Sequence, residues 1–502
     1  MVGNQVKWGI ILSYLLILLN TLFGFLVTPY MIGCLGEAEY GVYKTISSLT
    51  ASLMVLDLGL GSTVTRYIAA YKAKGEDTRI SNFVAMSLLQ AVVLCVVVGI
   101  VTIPVYRSVD SAYARTFSLE QIQTAKILLL LMMGNMMIHI IENVINGVIT
   151  GINNFLVGNG MKVLRLVFRI FLLLALLSRY HDSRVIVLVD IGVSVFVLSA
   201  ELFFVVVKQK IKIKLSQWDK MVFVESGKYT ALMFLQNIAI QFNGNVDTIL
   251  IGALISATSV TIYSMSLIIF GLYENLSSAI SSVMLPSVVK LVEMQATPED
   301  LQKCVQKVGR LQFAVLGAAL GGYIILGKDF YNLWMGKMYE DCYWLTLILI
   351  IPVTLPMLQN VALSILRAQN KMGYRTITLL FGSLINVVIS IVGIRYIGYW
   401  GAAIGTAAYS ISNLILMNIY YHQQLKFKIL SLFSCIFSRT IICIALSMLV
   451  ASIMHSFCNS GWSGFLVCAV VYSVVYILLM IVWGFNSEEK ALLHIRTRSD
   501  QA

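Results

Sequence analysis

Four polar side chains, Asn135, His139, Glu142 and Asn146, recur at i, i+4, i+7 and i+11 inside an otherwise apolar stretch. In a helix that spacing lines a single face. Further along, Lys162, Arg165 and Arg169 fall on one face of the next apolar stretch. One carboxylate cannot neutralise three cations, so these two faces predict a surplus of positive charge inside the protein. A guanidinium is a planar fork that matches phosphate, and exclusion of water strengthens the attraction. The predicted chemistry is capture of a phosphate-type anion. Glu142 paired with one of the arginines, locking two helices together, is the competing structural role. His139 lies close enough to Glu142 to act as a hydrogen-bonded packing residue.

Asp57 stands in the middle of another apolar run, followed by Gly59, Gly61 and Ser62 and then by Arg66. A carboxylate at that depth costs roughly 2.5–3.5 kcal/mol on insertion scales, so it is expected to face a protein interior or a water-filled cavity. Two roles stay open: an ion pair with Arg66 or a cation of the Lys162–Arg169 stretch, or uptake of a coupling proton or sodium ion. Gln236, Asn237, Gln241, Asn243, Asn245 and Asp247 make a long polar stripe. Amides offer donors and acceptors without charge, which suits sugar hydroxyls, so the stripe is read as a wet lining. Glu274 lies alone in apolar sequence and is grouped with Asp57 and Arg66 as a coupling residue or structural ion pair. Asn20, Gln359, Asn360 and Asn386 are each read as structural.

The elements that must carry these residues follow from composition. Of 502 residues, 59% are hydrophobic and 12% charged, and the mean hydropathy is +0.85. No soluble domain of this length could bury so much apolar surface, and a helix needs about 20 apolar residues to cross a bilayer. The expected fold is an all-α polytopic membrane protein. Fourteen spans are predicted, near 8–32, 43–71, 80–106, 124–150, 155–178, 185–207, 225–254, 258–288, 308–327, 343–366, 375–396, 399–423, 430–456 and 463–484. The first is too long for a cleavable signal and lacks a small-residue cleavage site. All seven tryptophans fall near span ends or in loops, as an interfacial belt requires. Lysines and arginines collect in the even-numbered loops, from Lys72, Lys74 and Arg79 to Lys426 and Lys428, which predicts cytoplasmic termini. The run Lys208–Lys214 is a topology signal beside anionic lipid, so no nucleic-acid partner is expected.

The same reading bounds the chemistry. No loop is long enough for a catalytic domain, and no complete phosphate-binding loop occurs; Ser226–Thr230 lacks the earlier glycine. The eight cysteines are scattered, with no metal-ligand spacing, so neither a metal nor another cofactor is expected. Pro352 and Pro356 should kink the tenth span.

An internal repeat appears between the sequence from Tyr30 and that from Ile249, and between those from Val148 and Ser364. Both pairs fit a break after six spans. The predicted plan is an N-lobe at 1–215, a C-lobe at 216–428 and a tail of two peripheral spans at 429–502. The six-helix lobes would be related by a pseudo-twofold axis along the membrane normal.

DLGLG with a following arginine (Asp57–Gly61, Arg66), the Asn245–Ser264 segment, MLPSVV (Met284–Val289), RAQNKMGYR (Arg367–Arg375) and GYWGAAIGTAAY (Gly398–Tyr409) occur in that order. The set resembles the polysaccharide transporter family, the O-antigen and capsule flippases of the multidrug, oligosaccharidyl-lipid and polysaccharide (MOP) exporter superfamily. The resemblance covers spans 1–12. It implies a flippase of the bacterial inner membrane that moves a polyprenyl-pyrophosphate-linked oligosaccharide by alternating access. Its partners would be that lipid-linked glycan, membrane lipids, and the polymerase and chain-length regulator of the same pathway. Lys162, Arg165 and Arg169 would take the pyrophosphate; Asn135, His139, Glu142 and the amide stripe would line the glycan path. The alternatives are a drug or organic-cation antiporter of the same superfamily, which would want acidic residues dominating the cavity, and a glycan polymerase or glycosyltransferase, which would want a long catalytic loop.

Overall fold

The computed structural model describes residues 12–490, apart from 13, 14, 17, 58, 216–240, 242, 370, 459–460 and 487–488. Among the described residues every regular element is helical. Eleven helices there are long and apolar enough to span a membrane. Two further predicted spans are also helices, Phe155–Tyr180 and Ala257–Glu293, and the span predicted near 225–254 lies mostly outside the described residues. The chain is a multi-pass membrane protein.

Contacts divide it into two compact units, Met1–Ser264 with Ser390–Ala402, and Met265–Ile389 with Ala403–Ala502. The first unit contains α1 (Leu18–Leu35), α2 (Glu37–Leu53), α3 (Leu60–Lys74), α4 (Asp77–Tyr113), α5 (Leu119–Gly151), α6 (Phe155–Tyr180), α7 (Ser183–Phe203) and α8 (243–254). The burial pattern is that of a protein in lipid. On α4, Val92, Val96, Ile100 and Ile103 are exposed while Val84, Ala91 and Val98 are buried. On α6, Leu164, Phe168 and Phe171 are exposed. Apolar side chains cover the outside because hydrocarbon, not water, surrounds it.

The second predicted span does not run straight. After α2 the chain makes a 3-10 turn at Met54–Asp57, and Gly59 caps α3 with φ 70°, a left-handed conformation suited to glycine. The break leaves Asp57 at a helix end. Small residues then bring α3 against α5. A Cβ on Gly61 would lie 2.9 Å from the Asn143 carbonyl oxygen, and one on Gly147 would lie 2.6 Å from that of Gly61. Thr65 donates to the Gly147 carbonyl at 3.2 Å. Such seams let backbones approach where lipid supplies no hydrophobic drive.

The second unit contains α9 (Ala257–Glu293, whose first turns belong to the first unit), α10 (Pro298–Trp334), α11 (Asp341–Met357), α12 (Asn360–Ala368), α13 (Gly373–Ile397), α14 (Tyr399–Leu425), α15 (Ile429–His455) and α16 (Trp462–Leu479). Residues 390–402 of α13 and α14 belong to the first unit. Pro352 and Pro356 stand in α11, and the helix ends at Met357 before restarting at Asn360, so the expected kink is an interruption. The last two spans pack onto α10: Tyr472 and Tyr476 donate to the carbonyls of Ala318 and Ala314 at 2.8 and 2.6 Å. Arg310 of α10 is buried and donates to both carboxylate oxygens of Glu489, at 2.7 and 3.2 Å.

Candidate functional site

The polar face of α5 meets the basic face of α6 as their spacing predicted. Arg165 donates to Glu142 in a close ion pair. Its other nitrogen, Nη1, lies 3.1 and 3.2 Å from the ring nitrogens of His139, and His139 Nδ1 lies 3.2 Å from Glu142. His139 is thus a hydrogen-bonded member of this cluster.

The expected charge surplus is corrected by α7. Arg169 donates from Nε and Nη2 to the two oxygens of Asp190, at 2.5 and 3.0 Å, and its guanidinium stacks over Phe23 at 4.8 Å. Glu201, also on α7, is buried and accepts from Asn146 at 2.9 Å. Each arginine therefore has its own carboxylate. Lys162 is exposed and makes no ion pair among the described residues. Neither does Lys44 of α2, which lies within electrostatic reach of Arg169.

These pairs border a cavity. A cavity of about 220 Å³ is lined by Asn135, His139, Arg165, Arg169, Asp190 and the short side chains of Val193 and Ser194. Both arginine side chains keep roughly a quarter of their surface, 23% and 24%. Asn135 turns a buried oxygen that has no hydrogen-bond partner among the described residues. The lining holds two guanidiniums and one carboxylate, since Glu142 lies outside it.

Asp57 does not form the expected ion pair. Asn143 donates to one oxygen at 3.2 Å; the other is buried with no hydrogen-bond partner among the described residues, and no cation there, Arg66 included, is within ion-pair distance. The reason is the helix break, which turns Asp57 towards α5 at the glycine seam.

The amide stripe divides. Gln236 and Asn237 lie outside the described residues. Asn245 donates to the carbonyl of Gln241 at 3.0 Å, one turn away, and Asn243 is half-buried. Asp247, expected in the lining, is 5% exposed and accepts from Tyr263 and Ser390, both at 3.0 Å. Hydroxyls from two other helices satisfy it inside the first unit, so it is a packing residue there. Glu274 forms no ion pair among the described residues and instead lines a cavity in the second unit.

A family model described as polysaccharide biosynthesis protein matches residues 6–292, more than half of the chain. The chain belongs to that family. No curated protein matches it. Solved structures share its fold. The lipid II flippase MurJ, in an inward closed conformation, gives a TM-score of 0.70 at 13% identity, over 95% of this chain and 98% of MurJ. An inward-facing MATE-family multidrug transporter of the MOP superfamily gives 0.63 at 14%, over 82% and 94%. A MOP-superfamily transporter from Pyrococcus furiosus, noted for a binding pocket of reverse polarity, gives 0.54 at 14%, over 85% and 94%. The fold of this family member is that of MOP transporters.

Three residues of the site escape a reading by helical faces: Asp190, Glu201 and Lys44. Asp190 and Glu201 are i, i+11 on α7, a spacing that returns to the same face. An ionisable group inside a predicted span was the available signal for Asp190 and Glu201; Lys44 stood at the edge of the span predicted near 43–71 and lies inside a helix only in the structure.

Proposed function

We propose that this chain flips a polyprenyl-pyrophosphate-linked oligosaccharide from the cytoplasmic to the outer leaflet of a bacterial inner membrane, with both termini cytoplasmic. The observation that carries the reading is the pair of arginines lining one cavity among the helices of the first unit. In the resting site, carboxylates hold the two forks in place. An arriving diphosphate would exchange with Glu142 and Asp190 for the guanidiniums rather than neutralise idle charge. Lys44 and Lys162 supply positive charge beside the exchange. Arginine suits it because one fork grips two oxygens at once.

The lobes, read as 1–215 and 216–428 with 429–502 outside the repeat, would open alternately to either side. Asp57, with one oxygen unclaimed among the described residues, is the proposed coupling group. Lipid-linked glycan and membrane lipid are the partners, with a polymerase and a chain-length regulator acting next. An organic-cation antiporter fits less well, because two guanidiniums face the cavity against one carboxylate.

The test is export of surface glycan by the double variant Arg165→Gln/Arg169→Gln. Loss of glycan with normal amounts of protein in the membrane supports the reading. A companion that also carries Glu142→Gln and Asp190→Asn leaves no orphaned carboxylate and separates folding from binding. Full export by either variant would remove the anion site.

A further inference from the structure

The second unit holds a larger cavity than the arginine site, about 350 Å³, and its wall has a different character. It is bounded by α9, by the corner where α11 ends and α12 begins, and by α13 and α14. Two opposite charges face it, Glu274 of α9 and Arg375 of α13. They do not form an ion pair, and Glu274 has no hydrogen-bond partner among the described residues. Tyr409 lies within electrostatic reach of both, so the charges converge on one space.

Neutral polar groups and apolar side chains such as Val353, Leu363 and Met417 share the remainder of the wall, and several of the polar groups are held in place. Arg375 Nη1 donates to Asn413 at 2.9 Å, Gln359 donates to Asn418 at 2.6 Å, and Asn360 donates to Ser277 at 3.1 Å. Asn360 and Gln359 stand at the proline-made interruption. Broken helices of that kind typically build the substrate sites of membrane transporters.

The wall's formal charges cancel, so it offers no net charge to a diphosphate or an organic cation. A polyol gains on both sides. A hydroxyl can donate to Glu274 while a neighbouring hydroxyl accepts from Arg375, and amides serve either role. The volume lies near the lower end of the ~300–1,000 Å³ typical of small-molecule pockets, which suits one sugar residue better than a chain.

We infer that this cavity is a saccharide subsite, holding one uncharged pyranose of the transported glycan between Glu274 and Arg375 and so selecting which glycan is carried. The inference rests on the reading of the chain as a carrier of lipid-linked glycan. It places sugar recognition in the second unit and anion recognition in the first.

The experiment uses the full chain in lipid nanodiscs. Free hexoses, 6-deoxyhexoses and N-acetylhexosamines are screened by saturation-transfer NMR, and inorganic pyrophosphate is titrated separately. At least one monosaccharide class should bind, and Glu274→Gln should weaken it about tenfold or more, since the carboxylate accepts charge-assisted hydrogen bonds. Asn360→Ala provides a second, smaller lesion, and pyrophosphate binding should be unchanged in both. No monosaccharide binding, or binding equal in wild type and both variants, overturns the inference. Binding of tetraphenylphosphonium that is lost in Glu274→Gln would overturn it in favour of a cation site. Sugar binding without pyrophosphate binding would leave the subsite standing and remove the arginine site.

Discussion

Arg169 and Asp190 meet fork to fork, with Nε and Nη2 of the guanidinium on the two carboxylate oxygens at 2.5 and 3.0 Å. This geometry is what a phosphate would take from the same arginine. Asp190 thus occupies the place of the proposed guest and keeps Arg169 oriented until a guest arrives. One turn away on α6, Arg165 pairs with Glu142 through Nη2 alone and turns Nη1 to His139. A site of this design binds by exchange, and its affinity is set by how strongly the resident carboxylates compete.

Asp190→Asn should therefore tighten anion binding while slowing transport. The amide retains the shape of the side chain and can hydrogen-bond Arg169, but it no longer competes as an anion. Pyrophosphate affinity of the protein in nanodiscs should rise by about tenfold, equivalent to ~1.4 kcal/mol. Surface glycan should fall, because release becomes harder. Unchanged affinity in a folded variant would show that Asp190 is only a strut.

Arg165 and Glu142 should show strong coupling in a double-mutant cycle. Arg165→Gln alone leaves a largely buried carboxylate whose main cationic partner has gone. The double variant Arg165→Gln/Glu142→Gln removes both charges and should recover part of the loss, with a coupling of roughly 0.5–3 kcal/mol. Thermal unfolding of the purified protein measures it. Additive losses would mean that the pair is solvated and energetically idle.

How far the sequence exposes this site depends on which residues are in question. The helices were legible because a bilayer leaves the backbone no partner but itself, so apolar runs map onto spans. The facing of α5 and α6 was legible because both stripes lie on consecutive helices. Asp190 was not, because its pairing depends on how α7 is rotated against α6, which periodicity in α7 alone does not state. The break at Asp57 was hidden for another reason: a short 3-10 turn and Gly59 barely alter the hydropathy of the run from α2 to α3. Asp247 looked like lining because Tyr263 and Ser390, which satisfy it, come from later in the chain.

The glycine seam between α3 and α5 gives a stability prediction with an internal control. Gly147→Ala places a Cβ 2.6 Å from the backbone oxygen of Gly61, which no side-chain motion relieves. Overpacking of that kind costs about 1–3 kcal/mol, and should also move Asn143 away from Asp57. Gly134 lies on the same helix, and a Cβ there would meet nothing within 4 Å, so Gly134→Ala should be neutral or slightly stabilising. Unfolding midpoints of the two variants decide it; equal midpoints would mean that the seam yields.

Asp57→Asn isolates the proposed coupling role. Its Oδ2 accepts from Asn143 while Oδ1 is buried with no hydrogen-bond partner among the described residues, so an amide oxygen can retain the one hydrogen bond the structure provides. The variant should reach the membrane in normal amounts and unfold within a few degrees of the wild type. What it cannot do is bind a proton or a sodium ion as a carboxylate does. In proteoliposomes with an imposed proton or sodium gradient, wild-type movement of a fluorescent lipid-linked saccharide should accelerate and that of Asp57→Asn should not, while movement without a gradient stays alike in both. If the gradient accelerates the variant equally, coupling resides elsewhere. If the variant instead fails to accumulate or unfolds early, the carboxylate is a structural partner of Asn143, and the seam that positions it exists for packing alone.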